Sequence, residues 1–354
     1  ITLVSSAGNI IINGSTTSGT YGLSADDGQL TATVGSISST SPGGIYINKA
    51  WQAGTSLSLT GTTTTGWGVY AGTLGTLTSG TSLLIDGSGQ YGSYFAAQVS
   101  AGSSLIVKGL GAIGYGIQTS TAGTLRSVNA MSLIGYSTSG GTAIYLDGLV
   151  QVTGAGDLTM SARNAGTTAN TYGIYAAKAI SVVNGTATMQ GATNTAGVIA
   201  AAPGTAAYGY TYGIYFAGTS GLTASGDIML TGYAPATWGI AISNSGSVPI
   251  TSSSGNISMI GTSNASAGTW AIYATDAVLT ANSGSITATA SGAFGIYFNK
   301  AWSAKTMTIT GTASNGVAVQ SGAAGTLAAT GNINIIGYAI QGGHGVYLAG
   351  AMSI

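Results

Sequence analysis

Apolar and polar positions alternate in short runs along the whole chain, and two kinds of run keep returning. One is aromatic-Gly-Ile-Tyr, as in Tyr172-Gly173-Ile174-Tyr175, Tyr212-Gly213-Ile214-Tyr215 and Phe294-Gly295-Ile296-Tyr297. Looser copies put the Gly, or an Ala, at 22, 44, 68, 92, 116, 143, 173, 213, 239, 271, 295, 316 and 345, which is 13 copies spaced 21 to 40 residues apart. The other is a polar residue followed by apolar-x-apolar-x-Gly, as in Ser56-Leu57-Ser58-Leu59-Thr60-Gly61 and Asp227-Ile228-Met229-Leu230-Thr231-Gly232. A weaker third strip lies between them, for example Leu77-Thr78-Ser79-Gly80 and Leu149-Val150-Gln151-Val152.

Period-two alternation is the mark of a half-buried strand, and Gly, Ser and Asn at the run ends supply tight turns. Three short strands and three turns per repeat predict one coil of a parallel β-helix. A lone coil has nothing to bury its inward face against, so coils stack about 4.8 Å apart and share a core. The expectation is an all-β fold: one β-solenoid domain over residues 1–354, with about 13 coils of three short strands. Its hand is expected to be right, the commoner one for parallel crossovers. The 40-residue coil carries its excess near 192–210, around Pro203, as a loop insertion. Inward positions follow from the alternation: Ile45/Ile47, Val69/Ala71, Ile214/Phe216 and Ile240/Ile242 in the first run, and Leu57/Leu59, Leu105/Val107, Ile257/Met259 and Ile333/Ile335 in the second.

Composition narrows the class. Glycine accounts for 60 of 354 residues, only 4% are charged, and there is no Glu and no Cys. Surface helices need a polar, charged face, so a helical protein is excluded, and a formal net charge of zero offers nucleic acid no basic footprint. Four prolines exclude collagen. No apolar run is long enough for a membrane-spanning helix, and the strand-like runs are shorter than the roughly 9–11 residues of a membrane barrel strand. Without cysteine there is neither a disulfide framework nor a thiolate metal site.

The phrases Gly8-Asn9-Ile10-Ile11-Ile12-Asn13-Gly14, Gly255-Asn256-Ile257-Ser258-Met259-Ile260-Gly261 and Gly331-Asn332-Ile333-Asn334-Ile335 resemble repeats of giant secreted bacterial β-helix adhesins, the filamentous haemagglutinin-like and autotransporter-passenger proteins. The resemblance spans the chain and implies secretion by a Gram-negative cell, an extracellular or cell-surface location, and a role in adhesion or fibre building. Both ends fall inside the repeat. The 10 residues from Gly345 and the 21 before Gly22 would together make a coil of 31, so further coils in both directions, or copies stacked end to end, are expected. One near-duplicate stands out: Gly44-Ile45-Tyr46-Ile47-Asn48-Lys49-Ala50-Trp51 returns as Gly295-Ile296-Tyr297-Phe298-Asn299-Lys300-Ala301-Trp302, 251 residues on.

Catalytic patterns are sparse. The single His344 sits where aromatics stand in most coils, so it reads as a stacking residue. Gly109-Leu110-Gly111-Ala112-Ile113-Gly114 has dinucleotide-loop spacing, but no helix or acidic residue follows, and it reads as a turn. The seven Asp are scattered; Asp86 and Lys108 fall on one outward column of consecutive coils and predict a surface ion pair. No enzyme activity, cofactor or metal is expected. What remains is surface pattern. Two residues after the Gly stands an outward Tyr in nine copies: Tyr46, Tyr70, Tyr94, Tyr145, Tyr175, Tyr215, Tyr273, Tyr297 and Tyr347. The residue before the Gly is aromatic in nine copies, Trp67, Trp238 and Trp270 among them.

These columns fit packing within the solenoid, or an exposed stripe that bundles rods or stacks on sugar rings. Outward Thr287/Thr289 and Thr308/Thr310 suggest an ice-binding array, which Ile106, Ile134, Ile260 and Ile336 interrupt. The leading expectation is a non-enzymatic shaft of an adhesin or self-associating fibre. Its partners are further copies of itself and host or environmental glycans, without nucleic acid or membrane insertion of this segment. The alternative is a carbohydrate-binding or polysaccharide-cleaving β-helix.

Overall fold

The computed structural model describes residues 1–16, 21–165, 171–193, 211–243, 246–264 and 268–353, so most of the expected 192–210 insertion lies outside the described residues. Among them are strands, turns and no helix. The chain divides into two compact units, Ile1–Ala162 and Arg163–Ile354. Each is a stack of parallel coils, and the fold is a β-solenoid of about 12 turns. The aromatic phrase supplies 13 strands, and a turn is the interval between two of them.

The three strips of the sequence are three faces of the coil. In the first unit the aromatic strip sets Ile45 beside Val69, Ser93 beside Ile117, and Tyr46 beside Tyr70. The strip of paired apolar residues sets Leu57 beside Leu83 and Leu105 beside Met131. The short strip sets Trp51 beside Leu77. The second unit repeats this with Ile214 on Ile240, Ile257 on Ile286 and Leu279 on Trp302. Inward residues are buried as the alternation requires: Ile45, Ile47, Leu59, Val107, Ile214, Phe216, Ile257 and Met259 are all at 0% exposure. Ile333 and Ile335 are only half-buried, because they pair with Met307 and Ile309 on one side alone. Burying a Leu or Ile side chain is worth on the order of 1.5–3 kcal/mol, which makes these columns the main source of stability.

One copy of the aromatic phrase is displaced from its expected place. Tyr297 pairs with Gln320, so the residue equivalent to Gly295 is Ala318 and not Gly316. Gly316 does a different job: a side chain there would collide with the ring of Phe294, as one at Gly114 would with the ring of Tyr91.

Side chains also stitch one coil to the next at the turns. Ser36 N–H donates to Asn9 Oδ1 at 2.8 Å, Asn256 N–H to Asp227 Oδ1 at 2.7 Å, and Ser285 N–H to Asn256 Oδ1 at 2.9 Å. The Thr119 hydroxyl oxygen accepts from both Asp147 N–H and Gly148 N–H at 3.0 Å, and that of Ser321 from Ala349 N–H at 2.9 Å and Gly350 N–H at 3.0 Å. Apart from Ser285, which lies within the strand Ala277–Gly292, these bonds satisfy turn amides outside the strand ladder.

Candidate interaction surface

The aromatic strip holds its strands in register, so identical outward positions stack along one line. In the first unit the ring centroids of Tyr46 and Tyr70 are 5.3 Å apart with planes 17° from parallel, and those of Tyr70 and Tyr94 are 4.8 Å and 23° apart. A second line, from the residue before the Gly, runs beside it, with Trp67 on Tyr91 at 4.7 Å. In the second unit Tyr172 lies on Tyr212 at 4.9 Å and 13°, Tyr175 beside Tyr215 at 5.7 Å, and Tyr273 on Tyr297 at 5.5 Å and 22°. His344 stacks on Tyr347 at 5.7 Å, the place its sequence context gave it. Such pairs are worth roughly 0.5–1.5 kcal/mol beyond the area they bury.

Of the nine tyrosines picked out in sequence, eight are half-buried and Tyr347 is exposed. Stacking covers ring faces and leaves edges and hydroxyls to solvent. The Tyr46 hydroxyl approaches Asp26 Oδ1 at 3.5 Å, and that of Tyr215 donates to Ser243 O at 3.1 Å. Burial among neighbouring rings raises the phenol pKa of Tyr46, Tyr70, Tyr215 and Tyr273, with Asp26 adding to the effect at Tyr46. Tyr21, packed 5.3 Å from Tyr46, is pushed up to about 12, chiefly by burial.

The tyrosine line is broken in different ways. At Ala241 there is no ring to stack, and Trp238 from the adjacent line swings across to lie on Tyr273 at 4.7 Å and 16°. At Gln118, Tyr115 from the adjacent line packs edge-on against Tyr145 at 5.4 Å and 63°, and at Gln320 no ring fills the break among the described residues. Gln118 stands between Tyr94 and Tyr145, and Gln320 between Tyr297 and Tyr347. Both glutamines sit in the same local phrase, Gly114-Tyr115-Gly116-Ile117-Gln118-Thr119 and Gly316-Val317-Ala318-Val319-Gln320-Ser321. The recurrence hides in the sequence because the second copy has lost its central Gly.

On the paired-apolar strip, Asp86 and Lys108 occupy partnered positions and their charged groups lie 4.0 Å apart, as their shared column predicts. A second pair, Lys49 with Asp27 at 3.8 Å, joins consecutive coils at the turn after the aromatic strip. Outward Thr287 and Thr289 align with Thr308 and Thr310, flanked by Ile260 and Ile336.

No protein-family model, curated protein or solved structure matches the chain. Its class rests on architecture: a β-solenoid repeat protein.

Proposed function

We propose that this chain is a non-enzymatic shaft segment of a bacterial surface adhesin or self-associating extracellular fibre. The observation that carries the proposal is the in-register repetition of outward columns in both units. Whatever such a surface contacts, it contacts as a line of equivalent groups, as a fibre does, instead of gathering groups around one cleft. The near-absence of charge removes the repulsion that keeps soluble proteins apart, which favours association of copies. The test is imaging and sedimentation of the concentrated chain. Filaments or bundles that grow with concentration are expected; a chain that stays monomeric while binding or degrading a polysaccharide would overturn the reading.

A second reading, recognition of neutral glycans, draws on the two glutamine breaks. There Tyr94 and Tyr297 face an amide on the next coil in place of another ring, and an aromatic face beside an amide suits a sugar's apolar face and hydroxyls. Retardation of the chain by a neutral polysaccharide in affinity electrophoresis, lost in Tyr94→Ala, is its expected sign.

A further inference from the structure

The first unit carries an outward patch in which aliphatic side chains surround an ion pair. On the paired-apolar strip, three consecutive coils bring Leu84 beside Ile106 and Asp86 beside Lys108, with Ile134 next to Lys108 on the following coil. Leu110 flanks the lysine two positions along its own strand. Ile106, Leu110 and Ile134 are 36%, 40% and 43% exposed, so three large aliphatic side chains on two adjacent coils meet water around a single ion pair. That pair is stretched to 4.0 Å, and both partners keep more than 40% of their side-chain surface open. Exposed pairs of this geometry add little to folding. The equivalent strip of the second unit has hydroxyls at Thr287, Thr289, Thr308 and Thr310, with Met229 and Ile260 outward on earlier coils but no ion pair among the described residues.

We infer that this patch is a side-by-side contact between two copies of the chain. The inference rests on the self-association reading above and names the face that carries it. A two-fold axis lying in the contact, along the strands and midway between the coils of Asp86 and Lys108, exchanges those two coils. It sets Leu84 against Ile106 of the second copy and Asp86 against Lys108 of the second copy, and the reverse. The Leu84–Ile106 row then meets an aliphatic row, Leu110 and Ile134 lie against Ser88 and Thr60 of the second copy, and each charge gains a second, opposite partner beside its own distant one. A patch with one acid and one base on adjacent coils is self-complementary only under such an exchange, the requirement of an isologous interface. Because both copies share the same coil spacing, the coils stay in register across the contact. The patch is small for a stable complex, so the contact is reversible and driven by concentration.

Sedimentation velocity over a range of concentrations, with circular dichroism to verify the fold, tests this. The wild type is expected to form a reversible dimer. Ile106→Asp is expected to abolish it, and Asp86→Lys to weaken it at least about tenfold by setting like charges opposite each other. Combining Asp86→Lys with Lys108→Asp is expected to restore the dimer, since the axis pairs the two positions whichever sign each bears. Thr289→Asp on the second unit is expected to change nothing. Association that survives Ile106→Asp, or a charge swap that fails to restore it, would overturn this face while leaving the fibre reading standing. A wild type that neither dimerises nor forms filaments would remove both.

Discussion

An eight-residue phrase occurs once in each unit with a single change, Phe298 in place of Ile47, and the other differences between the two copies are set by the neighbouring coils. Ile45 and Ile296, Ile47 and Phe298, and Trp51 and Trp302 are all buried, and Tyr46 and Tyr297 both stack in their columns. Asn48 and Asn299 make the same turn bond: Asn48 Oδ1 accepts from Leu74 N–H at 3.4 Å, and Asn299 Oδ1 from Ala324 N–H at 3.1 Å. The tryptophans part company. Trp51 Nε1–H donates to Gly28 O at 3.0 Å, whereas the buried Trp302 Nε1–H has no partner among the described residues.

Gly28 precedes the strand Gln29–Ala32 and keeps its carbonyl out of the ladder. The matching residue in the second unit, Ala277, is already inside its strand and paired with Val248. The exit from the phrase differs as well. After Trp51 the chain turns through Gly54, where a side chain would strike Thr33 O, and only then enters the strand Leu57–Thr62. After Trp302 one residue fewer intervenes, and a single strand runs from Ala301 to Ala313. Local sequence therefore fixes which side chains point inward, and the adjoining coil decides whether their polar atoms are satisfied.

The largest expected effect should fail to distinguish the copies. Trp51→Ala and Trp302→Ala each empty a fully packed site and are expected to cost about 3–5 kcal/mol in urea unfolding followed by circular dichroism. Tryptophan to phenylalanine should separate them. Trp51→Phe loses a good hydrogen bond, while Trp302→Phe removes a buried N–H that has no acceptor among the described residues, so the first is expected to cost about 1–2 kcal/mol more than the second. Equal costs would mean that the second indole is satisfied in solution.

Raising the pH probes the columns beside the phrases. The unfolded chain gives up its tyrosine protons near pH 10, but folded Tyr21 holds its own to about 12, and Tyr46 is raised too. Across that window the folded state binds more protons than the unfolded one, so stability is expected to fall as pH rises from 10 to 12 and to be flat with respect to these groups below it. Phenolate absorbance followed alongside unfolding would check this, and Asp26→Thr, the residue found at the matching position 275, should lower the titration of Tyr46. Smallest is the lysine. Lys49→Met breaks the pair with Asp27 and is expected to cost between 0 and about 1 kcal/mol, with no comparable loss at Lys300, which makes no ion pair among the described residues.

Much of this was legible from period-two alternation and fixed spacing. Those two features place Leu57 and Leu59 inward, pair Asp86 with Lys108 across coils, and line up Tyr46, Tyr70 and Tyr94. They fail where a coil changes length without changing composition. Gly316 reads as the phrase glycine because it stands one repeat on from Gly295, yet its task is to leave room for the ring of Phe294. Trp238 lying on Tyr273 could not be foreseen either, since the move depends on the small Ala241 vacating space on a neighbouring line. The exposed aliphatic patch around Asp86 and Lys108 was visible only as an interruption of a threonine column, because sequence alone does not tell an outward Ile that breaks one pattern from one that belongs to another.

The turn bonds give the molecule a direction. In the contacts from Asn9 to Ser36, Asp227 to Asn256, Thr119 to Asp147 and Ser321 to Ala349, the acceptor belongs to the earlier coil and the amide to the later one. A coil that has already formed thus displays oxygens in the places where the next turn will need them. The backbone ladder itself runs both ways, with Trp51 N–H donating forward to Thr76 O and Gly54 N–H back to Ala32 O, so the direction resides in these side-chain bonds alone. Folding by accretion of coils needs no long-range search, because each step spans a single repeat, which keeps the loops to be closed short and the entropy of each closure small.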